Sequence, residues 1–141
     1  MVRLTIDGKV VEAKKGTSIL HAAESVGIKI PTLCYIEDLL PDGSCRMCMV
    51  EIESRGRTKM ETACTAQVAE GLVVTTNSEK VRNARRNVLD MLLSNHKTDC
   101  FSCRANGDCK LQELCFEYGI ERTTYSGEQT ELPIDDSNKF F

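Results

Sequence analysis

The sequence has 141 residues with 18 basic and 21 acidic side chains, so its net charge of −3 gives no electropositive field and argues against nucleic acid as a partner. Apolar residues make up 41%, a normal globular balance, but aromatic residues make up only 5% and tryptophan is absent. The large side chains that usually fill a core are therefore scarce, and the eight cysteines are the obvious candidates for additional stabilisation.

The N-terminal segment lacks the apolar stretch of a secretory signal, because polar and apolar residues alternate from Met1 to Asp7. No apolar run is long enough to cross a bilayer. We therefore expect a cytoplasmic protein without direct membrane insertion. In that reducing compartment, eight closely spaced cysteines favour metal ligation over disulfides.

The first elements are typical of a small sheet with a helix packed on it. Alternating residues in Val2–Ile6, the Asp7-Gly8 pair and the run Lys9–Glu12 predict a β-hairpin with a two-residue turn. A cap at Thr17 or Ser18 and a glycine at Gly27 predict a helix over 17–27. This helix is expected to pack against the hairpin.

The middle of the chain predicts an ordered loop and three more strands. Pro31 to Ser44 contains two prolines and a glycine without either periodicity, which indicates a loop. Short runs with strand character follow at Met47–Glu53, Arg57–Thr62 and Leu72–Thr75. Together with the hairpin they predict a small mixed sheet.

A longer helix is predicted from Asn77 or Ser78 to about Asn95 as a connector between two lobes. Its apolar stripe is expected to contain Val81, Ala84, Val88, Met91 and Leu92, and its solvated face Arg82, Arg85 and Arg86. A cysteine-rich loop and a short helix over about 110–118 follow. We predict an α+β chain divided into 1–77, 78–120 and a polar tail, 121–141.

The first cysteine group is Cys34, Cys45, Cys48 and Cys64, with the spacing C-x10-C-x2-C-x15-C. The C-x2-C pair, Cys45 and Cys48, can reach one metal ion, and the other two thiolates can then hold the second iron of a 2Fe-2S rhomb. Gly43 beside the pair suits a tight loop whose N–H groups point at the cluster. Four thiolates also suit a structural zinc site, so spacing alone leaves both interpretations open.

The second group is His96, Cys100, Cys103 and Cys109, with the spacing H-x3-C-x2-C-x5-C. Three thiolates and one imidazole can seat a 4Fe-4S cube. The alternatives are a zinc site with the same ligands, or a His96 that only caps the helix while Cys115 supplies the fourth ligand. We expect Cys115 to be a buried, inert thiol.

Several segments resemble one family. Ile30–Tyr35, Gly43–Glu51 and Ala63-Cys64 resemble the N-terminal iron-sulfur region of the large iron-sulfur subunit of respiratory complex I. A similar segment begins the catalytic subunits of NAD-linked FeFe hydrogenases and NAD-dependent formate dehydrogenases. Leu92–Leu114 and Tyr118–Ile120 resemble the 4Fe-4S module with one histidine and three cysteine ligands that follows it.

The resemblance implies a β-grasp, ferredoxin-like domain followed by a small helical module. It implies one 2Fe-2S cluster held by Cys34, Cys45, Cys48 and Cys64, and one 4Fe-4S cluster held by His96, Cys100, Cys103 and Cys109. The relatives continue past a segment like 135–138 into further ferredoxin-like and catalytic domains, whereas this sequence stops at Phe141. The sequence is that of either a naturally short electron-transfer subunit or the front piece of a longer protein, so the catalytic chemistry of the relatives is not carried over.

The function implied is electron transfer within a multisubunit oxidoreductase. The chain would accept electrons from a flavoprotein subunit that oxidises NAD(P)H and relay them to another iron-sulfur or catalytic subunit. We assign no catalytic residue and expect no activity from the chain alone. The alternatives are a free ferredoxin-like carrier and a zinc-stapled interaction module.

Overall fold

The computed structural model describes residues 1–125, 133, 137 and 138. Its elements in chain order are β1 (Val2–Ile6), β2 (Lys9–Ala13), α1 (Ile19–Glu24), β3 (Met49–Ser54), β4 (Arg57–Thr62), β5 (Val73–Thr75), α2 (Glu79–Ser94) and α3 (Lys110–Glu117). Most of the predicted polar tail, 121–141, lies outside the described residues. Within the described residues, no helix is long and apolar enough to cross a membrane.

The five strands form one mixed sheet in the order β2-β1-β5-β3-β4. The β1–β2, β3–β4 and β3–β5 pairs are antiparallel, and the β1–β5 pair is parallel. With the three helices this makes an α+β chain, as predicted from the sequence.

Both hairpins turn through two residues with positive φ. Asp7 and Gly8 have φ values of 46° and 80°, and Arg55 and Gly56 have values of 51° and 73°. Two consecutive positive values match the twist of antiparallel strands, which explains the short loops. The hairpin predicted at Asp7-Gly8 is confirmed by the pairing of Ile6 with Lys9.

Helix α1 is shorter than predicted at its C-terminal end. The Ser18 side chain caps it by accepting a hydrogen bond from the His21 N–H. After Glu24 the turns tighten, because the N–H groups of Val26 and Gly27 bond three residues back, to Ala23 and Glu24. Its apolar face, which packs into the first core, consists of Ile19, Leu20, Ala22 and Ala23.

Helix α2 begins as predicted, but its buried stripe agrees with the predicted one only at Val81 and Val88. The Ser78 hydroxyl accepts a hydrogen bond from the Val81 N–H. The buried residues are Val81, Arg85, Val88, Leu89 and Leu93, whereas Met91 and Leu92 are exposed. The prediction that Arg85 lies on a solvated face is therefore wrong: it is only 2% exposed, because it occupies the same stripe as Val81 and Leu89.

Two hydrophobic cores organise the chain. The first lies under α1 and includes residues of β1, β2, β3 and β5, such as Leu4, Val11 and Val50. The second contains Met47, Val88, Leu89, Leu93, Leu114 and Cys115. Because Leu33 and Cys45 from the long loop also pack on the second core, α2 and α3 are fastened to the segment that carries the first cysteine group. The predicted boundary at residues 77–78 stays a prediction.

Asp90 ties the chain beyond α3 back onto α2. Its carboxylate accepts hydrogen bonds from the Thr124 hydroxyl at 2.5 Å, the Thr124 N–H at 2.8 Å and the Thr123 hydroxyl at 2.9 Å. These bonds, led by that of the Thr124 hydroxyl, lower the pKa of Asp90 below its ordinary value.

Acidification should therefore release residues 123–124 from α2. A carboxyl whose pKa is lowered by folding contributes stability above its unfolded pKa, and this contribution is lost as pH falls through the folded value. In an NMR titration, the chemical shift of the Thr124 amide should change as the Asp90 carboxyl is protonated. The midpoint of that change should lie at a lower pH than the pKa of an unperturbed aspartate. In Asp90→Asn this transition should vanish; its persistence would assign it to another group.

Candidate metal centres

The first four cysteines come from the long segment between α1 and β3 and from the turn after β4. Cys34 is exposed, Cys45 is half-buried, and Cys48 and Cys64 are each only 2% exposed. The Cys64 turn is held in place by backbone hydrogen bonds from Ala63 N–H to Cys48 O and from Leu20 N–H to Ala63 O. The group therefore extends from the surface into the first core.

The four thiols lie in two neighbouring pairs. The sulfurs of Cys48 and Cys64 are 3.4 Å apart, and the thiols of Cys34 and Cys45 interact with each other. Cys64 also interacts with Cys34 and Cys45, so all four thiols lie near one another, and the shared iron expected for Cys45 and Cys48 from the C-x2-C spacing stays a prediction. Between Cys45 and Cys48 the backbone of Arg46 has a positive φ of 58°.

The electrostatics of this group depend on how each thiol is solvated. Burial, followed by hydrogen bonding and charge from Cys48, raises the pKa of Cys64 to about 12. Burial also acts to raise the pKa of Cys45, but hydrogen bonds from backbone N–H groups, beginning with that of Met47 at 3.4 Å, outweigh it and lower the pKa. Thiols this close together cannot all ionise unless a cation compensates their charge.

The loop before Cys45 is held by its own side chains. The Asp42 carboxylate accepts hydrogen bonds from the Ser44 N–H at 3.1 Å and from the Ser44 hydroxyl at 2.6 Å. Gly43 is buried and has a φ of 70°. A Cβ at Gly43 would lie 3.2 Å from Thr65 Cγ2 and 3.3 Å from Thr62 Oγ1, so this position requires glycine for both backbone conformation and space.

Gly43→Ala should destabilise the protein more than Gly8→Ala. Both positions have φ values of 70–80°, and the conformational penalty for alanine there is about 1–2 kcal/mol. A Cβ at Gly8 meets no atom within 4 Å, whereas one at Gly43 meets the two threonines. Denaturant unfolding of both variants measures the difference. Equal losses of stability would show that the loop does not depend on this close approach.

His21 contacts the first site indirectly, although no pattern in the sequence assigned it a role. Its Nε2 lies 2.6 Å from the Tyr35 hydroxyl, and Tyr35 directly follows Cys34. Burial and the nearby carboxylates of Glu37 and Glu24 raise the pKa of Tyr35. The contact between His21 and Tyr35 thus holds the residue next to Cys34, the exposed thiol of the first group.

The second predicted set lies around one cavity of about 590 Å³, lined by His96, Cys100, Cys103 and Cys109 among others. Tight turns bring these residues together, with the Cys103 N–H bonded to Cys100 O at 3.2 Å. The Gln112 side chain braces the loop by accepting a hydrogen bond from the Gly107 N–H and donating one to Asn106 Oδ1. Cys109 is the N-cap residue of α3.

Cys115 lines the same cavity as the predicted set. It is buried in the second core at 8% exposure, and burial raises its pKa, with smaller contributions from Cys109 and Cys100. The burial agrees with the expectation from the sequence, and a position at this cavity is also what the alternative with Cys115 as the fourth ligand requires. The structure therefore brings four cysteines and one histidine to one cavity.

Both groups fit an iron-sulfur cluster by their donor chemistry. In the described part of the chain, no three histidine, cysteine or carboxylate side chains are arranged to hold a single metal ion. Instead, four thiols gather in two pairs at the first site, and thiols and one imidazole surround a cavity at the second. Thiolate-rich sets of this kind suit iron-sulfur clusters, which are bound by several cysteines spread over more than one metal ion.

Two protein families match the chain. Residues 1–79 match a 2Fe-2S iron-sulfur cluster binding domain. Residues 85–124 match the NADH-ubiquinone oxidoreductase-G iron-sulfur binding region. The first match contains the first four cysteines, and the second contains the cavity described above.

Curated relatives are subunits of nicotinamide-linked oxidoreductases. The NADPH-Fe(3+) oxidoreductase subunit alpha of Geobacter sulfurreducens is 46% identical over 89% of this chain and 15% of its own length. The mitochondrial NADH-ubiquinone oxidoreductase 78 kDa subunit of Candida albicans is 43% identical over 86% of this chain and 16% of its own. The NADP-reducing hydrogenase subunit HndD of Solidesulfovibrio fructosivorans is 45% identical over 90% of this chain and 22% of its own length.

The fold is also similar to that of a solved structure. A chain of the NAD+-reducing NiFe hydrogenase in the H2-reduced state superposes with a TM-score of 0.85 and 32% identity. The superposition covers 96% of this chain and 56% of that one. This chain thus spans 15–22% of the length of the three curated relatives and about half of the solved chain.

Proposed function

The chain belongs to the 2Fe-2S iron-sulfur cluster binding domain family, and we therefore propose that it relays electrons between two protein partners. The predicted resemblance to the complex I iron-sulfur subunit and NAD-linked hydrogenases is confirmed by the family matches and the relatives. The predicted cofactors, one 2Fe-2S and one 4Fe-4S cluster, are confirmed by the two matched regions. When bound, they supply one-electron chemistry that no amino-acid side chain of this chain provides.

The first site is proposed to hold the 2Fe-2S cluster through Cys34, Cys45, Cys48 and Cys64, in a β-grasp, ferredoxin-like domain over residues 1–77. The neighbouring pairs support a division in which Cys34 and Cys45 hold one iron and Cys48 and Cys64 hold the other. The backbone N–H of Met47 donates a hydrogen bond to the sulfur of Cys45. Hydrogen bonds of this kind to the sulfurs stabilise the negative charge of a cluster.

The second site is proposed to hold the 4Fe-4S cluster through His96, Cys100, Cys103 and Cys109, in a helical module over residues 78–120. Their position around one cavity supports this set. Cys115 lines that cavity too, but its place within α3 and its burial in the second core support a packing role.

The observation that carries the electron-transfer function is the way in which the two sites are joined. Cys34 and Cys103 are exposed, so each site reaches the surface. Between them Met47, two residues after Cys45, packs in the same core as Leu89 and Leu114. A rigid apolar connection between two surface-accessible thiol groups fixes their separation and excludes water, as an electron relay requires.

The partners are proposed to be subunits of a nicotinamide-linked complex, because the relatives carry names of this kind. A flavoprotein that oxidises NAD(P)H would deliver electrons, and a further iron-sulfur or catalytic subunit would accept them. The chain is proposed to have no activity alone and to work in the cytoplasm. A free ferredoxin-like carrier remains the alternative, and co-purification with its partners distinguishes the two.

Iron and sulfide analysis of anaerobically prepared protein tests this function. We expect about six irons per chain, two for the first site and four for the second. Electron paramagnetic resonance after reduction with dithionite should resolve two signals with different relaxation. A colourless protein that contains zinc would support the zinc-stapled interaction module and overturn the proposal.

A further inference from the structure

Arg85 is a buried arginine at the junction of the two halves of the chain. Its side chain is in the stripe of α2 that faces the cores, and the residue is 2% exposed. One guanidinium nitrogen, Nη2, donates a hydrogen bond to Met49 O at 2.7 Å. The other, Nη1, donates to the Tyr118 hydroxyl at 3.0 Å. Arg85 thus binds the residue directly after Cys48 on one side and the residue directly after α3 on the other.

The charge of this guanidinium has no counterion among the described residues. Its two hydrogen-bond acceptors are a carbonyl and a phenol, both neutral, and no carboxylate of residues 1–125, 133, 137 or 138 forms an ion pair with it. Its Nε is also buried without a hydrogen-bond partner there. Arginine stays protonated in proteins, so burying it in this way is costly unless a negative group lies nearby.

The iron-sulfur clusters of the proposed function supply that negative charge. A 2Fe-2S cluster on four thiolates carries net negative charge, and each added electron increases it. We propose that Arg85 is a buried countercharge that stabilises the reduced form of the 2Fe-2S cluster and fixes the first site against the 4Fe-4S module. This inference rests on the proposed function, because it needs the cluster at Cys34, Cys45, Cys48 and Cys64.

The geometry separates this role from that of the other arginines of α2. Arg82 is exposed on the same helix, so water screens its charge. Arg86 is also exposed and donates to the Tyr118 carbonyl oxygen. Only Arg85 combines burial with a hydrogen bond to the backbone beside Cys48, where a low effective dielectric strengthens its field.

The test is the midpoint potential of the 2Fe-2S cluster in Arg85→Gln, measured by dye-mediated titration of the paramagnetic signal in the full chain. Removing the charge should shift the potential in the negative direction, because the reduced cluster loses its countercharge. Arg82→Gln removes the same charge from the surface and should leave the potential at the wild-type value. A potential in Arg85→Gln equal to that of Arg82→Gln overturns the inference.

Arg85→Lys and Tyr118→Phe separate charge from packing. Lysine retains the charge but loses the planar fork, so we expect a lower melting temperature with the potential close to wild type. Tyr118→Phe removes the hydrogen bond from Arg85 to the Tyr118 hydroxyl. It should lower the melting temperature without making the midpoint potential of the 2Fe-2S cluster more negative. If Arg85→Gln fails to assemble the cluster, assembly in Arg85→Lys supports the countercharge, and failure in both assigns Arg85 to packing and overturns it.

The wild-type protein distinguishes failure of this inference from failure of the proposed function. Absence of the 2Fe-2S signal from the wild-type protein would contradict the proposed function itself. If the wild-type protein shows the 2Fe-2S signal and the Arg85→Gln variant has the same midpoint potential, only the role proposed for Arg85 is contradicted.

Discussion

Replacing Cys48 with serine should abolish the 2Fe-2S signal and lower the free energy of unfolding by about 4 kcal/mol, as expected for loss of a structural metal group. Cys48 is 2% exposed, and its sulfur lies 3.4 Å from that of Cys64. Serine is a poor ligand for iron and would leave a hydroxyl in an apolar site. The 4Fe-4S signal should survive, because its proposed ligands line a cavity to which Cys48 does not contribute.

Cys115→Ser is the matched control for this prediction. It makes the same chemical change at another buried cysteine, 8% exposed, in the second core. The 2Fe-2S signal should be unchanged in this variant. Paramagnetic spectra and denaturant unfolding of both proteins make the comparison, and an intact 2Fe-2S signal in Cys48→Ser would exclude Cys48 from the ligand set.

Local signals in the sequence predicted most of the fold. The Asp7-Gly8 turn works because both residues adopt positive φ, and Ser78 caps α2 because its hydroxyl meets the Val81 N–H. These features depend on neighbours within a few residues. The two cysteine groups were recognisable for the same reason, since their spacing along the chain is itself the signal.

Features that depend on distant contacts could not be predicted in this way. Arg85 looked like a surface residue because charge usually indicates exposure, and its acceptors, Met49 and Tyr118, are 36 and 33 residues away. The pairing of Cys48 with Cys64 required the β3–β4 hairpin, which brings the chain back over 16 residues. For Cys115 the sequence left a buried thiol and a fourth ligand as alternatives, and its position at the second cavity follows from the packing of α3 with α2 in one core.

Replacing His96 with cysteine should make the midpoint potential of the 4Fe-4S cluster more negative, on the order of 100 mV or more. His96 lies just after α2, four residues before Cys100, and it lines the same cavity as the three cysteines. A neutral imidazole carries one negative charge less than a thiolate. A cysteine at this position returns the negative charge to the cluster, which makes the addition of an electron less favourable. The same electrostatic effect gives histidine-ligated 2Fe-2S centres higher potentials than all-cysteine ones.

Cys115→Ala is the control that decides which residue supplies the fourth ligand. If His96 is the ligand, Cys115→Ala keeps the 4Fe-4S signal and its potential, and loses only the stability expected from a cavity in the second core. His96→Ala should then open one iron to exogenous ligands and make the cluster labile. A wild-type potential and lineshape in His96→Cys, together with loss of the signal in Cys115→Ala, would instead make Cys115 the fourth ligand and leave His96 at the end of the helix.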